Sequence, residues 1–509
     1  MEHVDVLVVG AGISGIGAGY HLQTQCPDRT YAIFEGREAM GGTWDLFRYP
    51  GVRSDSDMYT LGFSFRPWKE AKAIADGPSI LNYLRETARA FGIDEHIRYG
   101  RRVKRAAWDS GQSRWTVDYE SGPERTSEQV SCDFLFMCAG YYNYAQGYRP
   151  EFAGEDHFRG LILHPQAWPE DLDYAGKRVV VIGSGATAVT LVPEMARTAA
   201  HVTMLQRSPT YVVSRPAEDA FANGLRKWLP AKLAYDIVRW RNVLGQMYFF
   251  NFTRKRPGLV KDRLIGMVRE HLGPDYDVET HFTPRYNPWD QRLCLVPDAD
   301  LFEAIKGGTA SVVTDQVEAF EAGGIRLKSG EALPADIIVT ATGLDMQLMG
   351  GLKVEVDGAP VELARTFSYK AMMYSGVPNL ASTFGYTNAS WTLKADLTAE
   401  YVCRLLNHMA RRGFTECRPV NEETLEAVPW LDFSSGYVTR AMHRFPKQGQ
   451  KAPWRVYQNY ALDLMAFRYG LVNDGVMRFS KPAASRGARS SGRRDGGVAD
   501  RPLESIDRA

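Results

Sequence analysis

The chain is poor in the patterns that make a site by themselves. Its 509 residues hold six cysteines, Cys26, Cys132, Cys138, Cys294, Cys403 and Cys417, and no CxxC pair. Its ten histidines form neither an HxxxH pair nor a cluster with cysteine. A disulfide framework and a metal site are therefore not indicated, and reduced thiols fit the pattern. An excess of one charge is missing as well. With 61 Lys and Arg against 60 Asp and Glu, attraction to nucleic acid does not organise the molecule. No apolar run approaches the roughly 18 residues a spanning helix needs. The start, MEHVDVLVVG, lacks the basic segment of a signal peptide. The expectation is a cytoplasmic globular protein with room for about three domains.

What is present is one unit, twice. An apolar run over residues 4–9 enters Gly10-Ala11-Gly12-Ile13-Ser14-Gly15, a small-residue helix follows to about Gln25, and a second strand ends at Glu35. Further on, residues 178–182 enter Gly183-Ser184-Gly185-Ala186-Thr187-Ala188, a helix runs to about Ala200, and a strand ends near Arg207 and Ser208. Each unit reads as the opening of a dinucleotide-binding fold. The first glycine allows a tight turn, the second lets a pyrophosphate approach the backbone, and the third small residue lets helix and strand pack. The helix start then offers free N–H groups to phosphate. One such turn is weak evidence, because glycine-rich turns also occur without a ligand. Two copies, each after a strand, are strong.

The residues that close the two units differ. Glu35 stands where a carboxylate accepts hydrogen bonds from ribose hydroxyls, which predicts FAD. Arg207 stands where a guanidinium suits a 2′-phosphate, with Ser208 adding a hydroxyl, which predicts NADPH. A solvated surface arginine is the plainer alternative at 207. The apolar strands at 134–140 and 335–343 flank the second unit. The expected fold is α/β, with two Rossmann-like dinucleotide-binding domains. The FAD domain takes 1–150 and 346–480, and the NADPH domain takes 151–345 with a helical insertion at 215–290. In the insertion Pro230 suits a helix start, and Leu233, Ile237, Trp240, Leu244 and Tyr248 fall on one face. Eleven Lys and Arg against two acids lie between Arg226 and Arg269. They read first as the solvated face of a docked helix, and second as a peripheral contact with an anionic membrane. The composition of 482–509 predicts a disordered tail.

Two longer stretches narrow the chemistry. Between the repeats stands FxGxxxHxxxWP, carried by Phe158, Gly160, His164, Trp168 and Pro169. Earlier comes GGxWxxxxYPGxxxD, from Gly41 and Gly42 through Trp44, Tyr49, Pro50 and Gly51 to Asp55. In both the chain resembles the type I Baeyer–Villiger flavin monooxygenases. The runs GGTWDLFRYPG, RSDSDMYTLGF, YNPWDQRLCLVP and GYTNASWTLKADL are similar to the ethionamide-activating branch of that family. The resemblance implies that NADPH reduces FAD and that a peroxyflavin then attacks a ketone or gives oxygen to sulfur in a thioether or thioamide. It implies that Gly42, Trp44 and Asp55 belong to the flavin site. It also implies a catalytic arginine held by an aspartate, matched here to Arg292 and Asp55.

Residue types alone leave Arg48 and Arg53, beside the fingerprint, as candidates for that cation. His164 reads as a residue that couples domains, and Trp168 as packing at their junction. Three other functions compete. A dithiol–disulfide oxidoreductase needs a close cysteine pair beside the flavin, and Cys132 and Cys138 stand six apart on one strand. A monooxygenase acting on heteroatoms only would share the flavin chemistry. A nucleotide-binding redox sensor without catalysis is the third.

Overall fold

Val6, Leu7 and Val8 have no exposed surface, as a strand covered on both faces requires. The strand they belong to, Glu2–Val9, lies at the centre of a nine-stranded sheet, parallel to Tyr31–Phe34 on one side and Thr126–Met137 on the other. Beyond Thr126–Met137 the sheet continues through the antiparallel strands Arg114–Ser121 and Arg101–Asp109. The short strand Ile97–Arg98 lies beside Tyr31–Phe34. Three strands from the far end of the chain complete the sheet: Lys353–Val356 pairs with Arg101–Asp109, Ala359–Pro360 pairs with Lys353–Val356, and Leu380–Ser382 pairs with Thr126–Met137. This computed structural model describes residues 1–481 except 423 and 432. The expected tail at 482–509 lies outside the described residues.

The second sheet is wholly parallel. Its order is Ala310–Thr314, His201–Gln206, Arg178–Ile182, Ile337–Thr340 and Leu161–Leu163. Val179, Val180 and Val181 are buried at its centre. Each sheet therefore carries one glycine loop at the end of a central strand, and the two domains are both α/β. No described helix is long and apolar enough to cross a membrane.

The insertion forms four helices, Ala220–Leu225, Ala231–Lys255, Pro257–Leu272 and Val278–Phe282. The second of them corrects the sequence reading of its apolar face. It docks on the domain of the nine-stranded sheet, and it does so with the other face. Ala234, Tyr235, Val238, Arg239 and Val243 are buried, whereas Leu233, Ile237, Trp240, Leu244 and Tyr248 are exposed. The reason is a polar anchor that no apolar count can detect. The Tyr235 hydroxyl donates to the Phe63 carbonyl at 3.0 Å. Arg239, only 6% exposed, donates to the carbonyls of Tyr59 at 2.7 Å and Gly62 at 2.8 Å. Its other nitrogen lies 3.8 Å from the buried Asp396 carboxylate.

A charge so buried is tolerated only because its partners are in place. Arg239→Met keeps the stem but removes the donors. It is expected to cost about 1.5–3 kcal/mol, the worth of hydrogen bonds from a charged group. The check is the urea concentration at which bound flavin is released. An unchanged midpoint would mean that the anchor contributes nothing net.

Candidate active site

The two glycine loops are built alike and face one cleft of about 1060 Å³. In the first, the Gly10 N–H donates to the Phe34 carbonyl at 2.7 Å; in the second, the Gly183 N–H donates to Leu205 at 2.8 Å. Both glycines have positive φ, +105° and +140°, in the region that excludes most side chains. A Cβ on Gly10 would lie 2.6 Å from the Cys138 carbonyl oxygen, and one on Gly15 would lie 1.8 Å from that of Gly10. These glycines serve the chain itself. Gly12 and Gly185 differ: the first would meet nothing closer than 3.5 Å, and the second nothing within 4 Å. The space beside them is open. Each caps a helix, Ile13–Gln25 or Ala186–Met195, whose start has no side-chain cap. Their N–H groups are thus left for an anion.

Glu35 is 6% exposed at the end of its strand. Its two oxygens accept the N–H of Ala11 at 2.8 Å and of Arg37 at 2.9 Å. Burial raises its pKa, and these bonds work against that shift. Each oxygen keeps a further lone pair to accept with, and Glu35 lines the cleft. Gly42 and Trp44 line the same cleft, at the start of the short helix Thr43–Leu46. On the other side stand Ser184, Ala186, Thr187, Arg207 and Ser208. Ser184 donates to the Ser208 carbonyl at 3.3 Å. Arg207 is exposed and has no carboxylate partner among the described residues.

The stretch from Gly41 to Asp55 bridges the loops. Gly51, at φ +73°, approaches the helix Ala186–Met195 so closely that a Cβ would lie 2.9 Å from that of Glu194. The chain then turns back and delivers Asp55 to Arg292. Their closest approach, from Nη2 to Oδ2, is 2.6 Å. Asp55 is the chief influence raising the Arg292 pKa, against burial. Of the other two candidate arginines, Arg53 lines the cleft but is committed to Asp300 at 2.5 Å. Arg48 is held by Asp45 at 3.2 Å and Glu170 at 2.7 Å, and does not line the cleft.

His164 follows the edge strand Leu161–Leu163 of the second sheet and packs against Gly147, in the segment that crosses between the sheets. Its Nδ1 accepts the Gln166 N–H at 3.2 Å, and the Gln166 side chain donates to the Asn143 carbonyl at 2.8 Å. Burial lowers the His164 pKa, so the ring stays neutral. Trp168 packs against the core of the second domain and does not line the cleft. The six cysteines are free and buried. Burial pushes Cys138 up to about 12, which makes it a poor thiolate.

Relatives with this architecture identify the family. The description "Flavin-binding monooxygenase-like" matches residues 4–227. The FAD-containing monooxygenase EthA of Mycobacterium tuberculosis is 55% identical over 490 residues, 96% of this chain and 99% of that protein. EthA of Mycolicibacterium smegmatis is 54% identical over 492 residues, 96% and 100% of the two chains. The chain belongs to the FAD-containing monooxygenases.

Its fold is shared with solved monooxygenases. A steroid monooxygenase bound to NADP superposes with a TM-score of 0.74 at 22% identity, over 94% of this chain and all of that one. Cyclohexanone monooxygenase gives 0.72 at 20% identity, over 83% and 91%. FAD fits the residues present in this monooxygenase. The uncapped helix start and open space at Gly12 suit a pyrophosphate, and Glu35 suits a ribose.

Three side chains in the cleft carry no sequence signal. Tyr141 and Tyr142 follow the strand that pairs with Glu2–Val9, and their hydroxyls lie 3.1 Å apart. Tyr437, on the helix Gly436–Ala441, brings its hydroxyl within hydrogen-bonding reach of Arg292. Burial raises all three pKa values well above the ordinary tyrosine range, so the hydroxyls stay neutral beside the cation, and Tyr437 accepts from it. Only contact across about 145 residues of sequence joins Tyr437 to Arg292, and no local pattern encodes that.

Proposed function

We propose that this monooxygenase consumes NADPH and oxygen to insert one oxygen atom into ketones, giving esters or lactones. By the same chemistry it oxidises sulfur in thioethers or thioamides. The second oxygen atom leaves as water. The observation that carries the reading is the Arg292–Asp55 pair at 2.6 Å, in the one cleft that both glycine loops line. Bound FAD, reduced by NADPH, supplies the activation of oxygen. The chain's own residues do the rest. Arg292 holds a fixed positive charge where negative charge develops, and Asp55 keeps its planar fork in one orientation. Tyr141, Tyr142 and Tyr437 remain protonated there and add no competing negative charge. The helix starts at Gly12 and Gly185 would each hold the pyrophosphate of one dinucleotide. Six free, buried cysteines suit the reducing cytoplasm in which we place it.

The test supplies NADPH and oxygen with a mixed panel of ketones and sulfides and counts products per NADPH. Esters or lactones formed in step with NADPH support the reading. Sulfur products alone would restrict the enzyme to heteroatoms. NADPH oxidation that no substrate accelerates would favour a sensor.

The second dinucleotide gives a separate prediction. Arg207 has no carboxylate partner among the described residues and lines the cleft beside Ser208, so it is assigned to the 2′-phosphate. Arg207→Ala is expected to weaken NADPH by about 10- to 150-fold, the worth of a charged hydrogen bond. NADH should be nearly unaffected. Steady-state KM values for the two cofactors check this, and equal losses would make Arg207 structural.

A further inference from the structure

The solvent-facing stripe on the helix Ala231–Lys255 has no use in the oxygenation chemistry. Leu233, Ile237, Trp240, Leu244 and Tyr248 are between 38% and 72% exposed, and they run along one side of the helix for about 22 Å. A second exposed apolar group, Leu462, Met465, Tyr469 and Leu471, comes from the other end of the chain. The two meet through Trp240 and Tyr460, whose rings lie 5.9 Å apart. Trp228, just before the helix, is 86% exposed. A monomeric soluble protein rarely shows so long a continuous apolar surface.

We propose that this face is a peripheral docking surface for an anionic lipid bilayer. Three observations select that occupant. The stripe is flanked by cations at both helix ends: Lys227 before it, Lys255 and Arg256 after it. All three are exposed and without a carboxylate partner among the described residues. Trp228, Trp240, Tyr248 and Tyr469 supply the amphipathic rings that settle at a membrane–water boundary. The same surface suits a second copy poorly. Antiparallel pairing of two such helices would set the cations of one end against those of the other.

The face also lies close to the cleft. A small cavity beneath the helix, between Val243, Met247 and Tyr460, reaches Ala389, which lines the main cleft too. An apolar substrate held in lipid would be presented on this side. Docking itself stands whether or not ketones are the substrates.

The experiment uses the full-length flavin-loaded protein and flotation with vesicles. One set contains three parts phosphatidylglycerol to seven of phosphatidylcholine, and the other is phosphatidylcholine alone, both at 0.1 M salt. Binding to the anionic set is expected to be at least about tenfold tighter and to weaken as salt rises. The double variant Ile237→Ser with Leu244→Ser should abolish flotation. The triple variant Lys227→Gln, Lys255→Gln and Arg256→Gln should weaken it by about 100-fold, at roughly fivefold per charge. All five positions are exposed, so flavin content and NADPH oxidation are expected to stay at wild-type values in both variants. No flotation of the wild-type chain with anionic vesicles would overturn the proposal. So would a two-copy species in sedimentation that the double variant splits while vesicles remain unbound.

Discussion

Arg292→Ala is expected to consume NADPH while yielding almost no ester. Reduction by NADPH precedes the development of negative charge, so loss of the cation leaves that half of the reaction running, though more slowly. Oxygen transfer depends on the charge being held, and its rate is expected to fall about 10²–10³-fold, as on losing one preorganised donor in a dry site. The oxygen consumed then appears as hydrogen peroxide. Asp55→Ala should show the same uncoupling in milder form. It removes the partner at 2.6 Å that orients the guanidinium, and not the guanidinium itself. Arg292→Lys keeps the charge but loses the planar fork, and should recover only part of the coupling. NADPH consumed, peroxide formed and oxygenated product are measured in one vessel. Wild-type coupling to a ketone in Arg292→Ala would move the role to another cation. Arg53 is then the next candidate, once freed from Asp300.

The parts of this site differed in how legible they were. Both glycine loops could be read directly, because strand, turn and helix follow one another within about thirty residues and each glycine answers a local need. Arg292 could not be read that way. Its partner is 237 positions away, and only resemblance to a family singled it out among 61 basic residues. Tyr437 was missed altogether, since it reaches the cleft from a six-residue helix with no motif. The long helix misled for a different reason. Apolar residues at helical spacing ordinarily mark the buried face. Here the buried face is fixed by Tyr235 and Arg239, whose polar ends find backbone carbonyls in the other domain. The antiparallel strands Arg101–Asp109 and Arg114–Ser121 also went unread, because they mix charged and apolar residues.

The glycines of the two loops give the sharpest separation between fold and cofactor. Gly12→Val is expected to yield a folded but colourless protein. At Gly12 the backbone is extended, with φ −82° and ψ −169°, a conformation open to any residue. An added Cβ would meet the Gly42 Cα at an ordinary 3.5 Å. What the valine does occupy is the open space assigned to the pyrophosphate. Gly15→Ala tests the opposite case. Its Cβ would lie 1.8 Å from the Gly10 carbonyl oxygen, so helix and turn cannot keep their places, and the chain is expected to be recovered poorly or unfolded. Gly185→Val completes the comparison, since nothing lies within 4 Å of its Cβ. It should stay yellow yet fail to be reduced by NADPH. The readouts are circular dichroism, flavin per chain and anaerobic bleaching by NADPH. Gly12→Val purified with one flavin per chain would place the FAD elsewhere. Gly185→Val reduced at the wild-type rate would do the same for the nicotinamide dinucleotide.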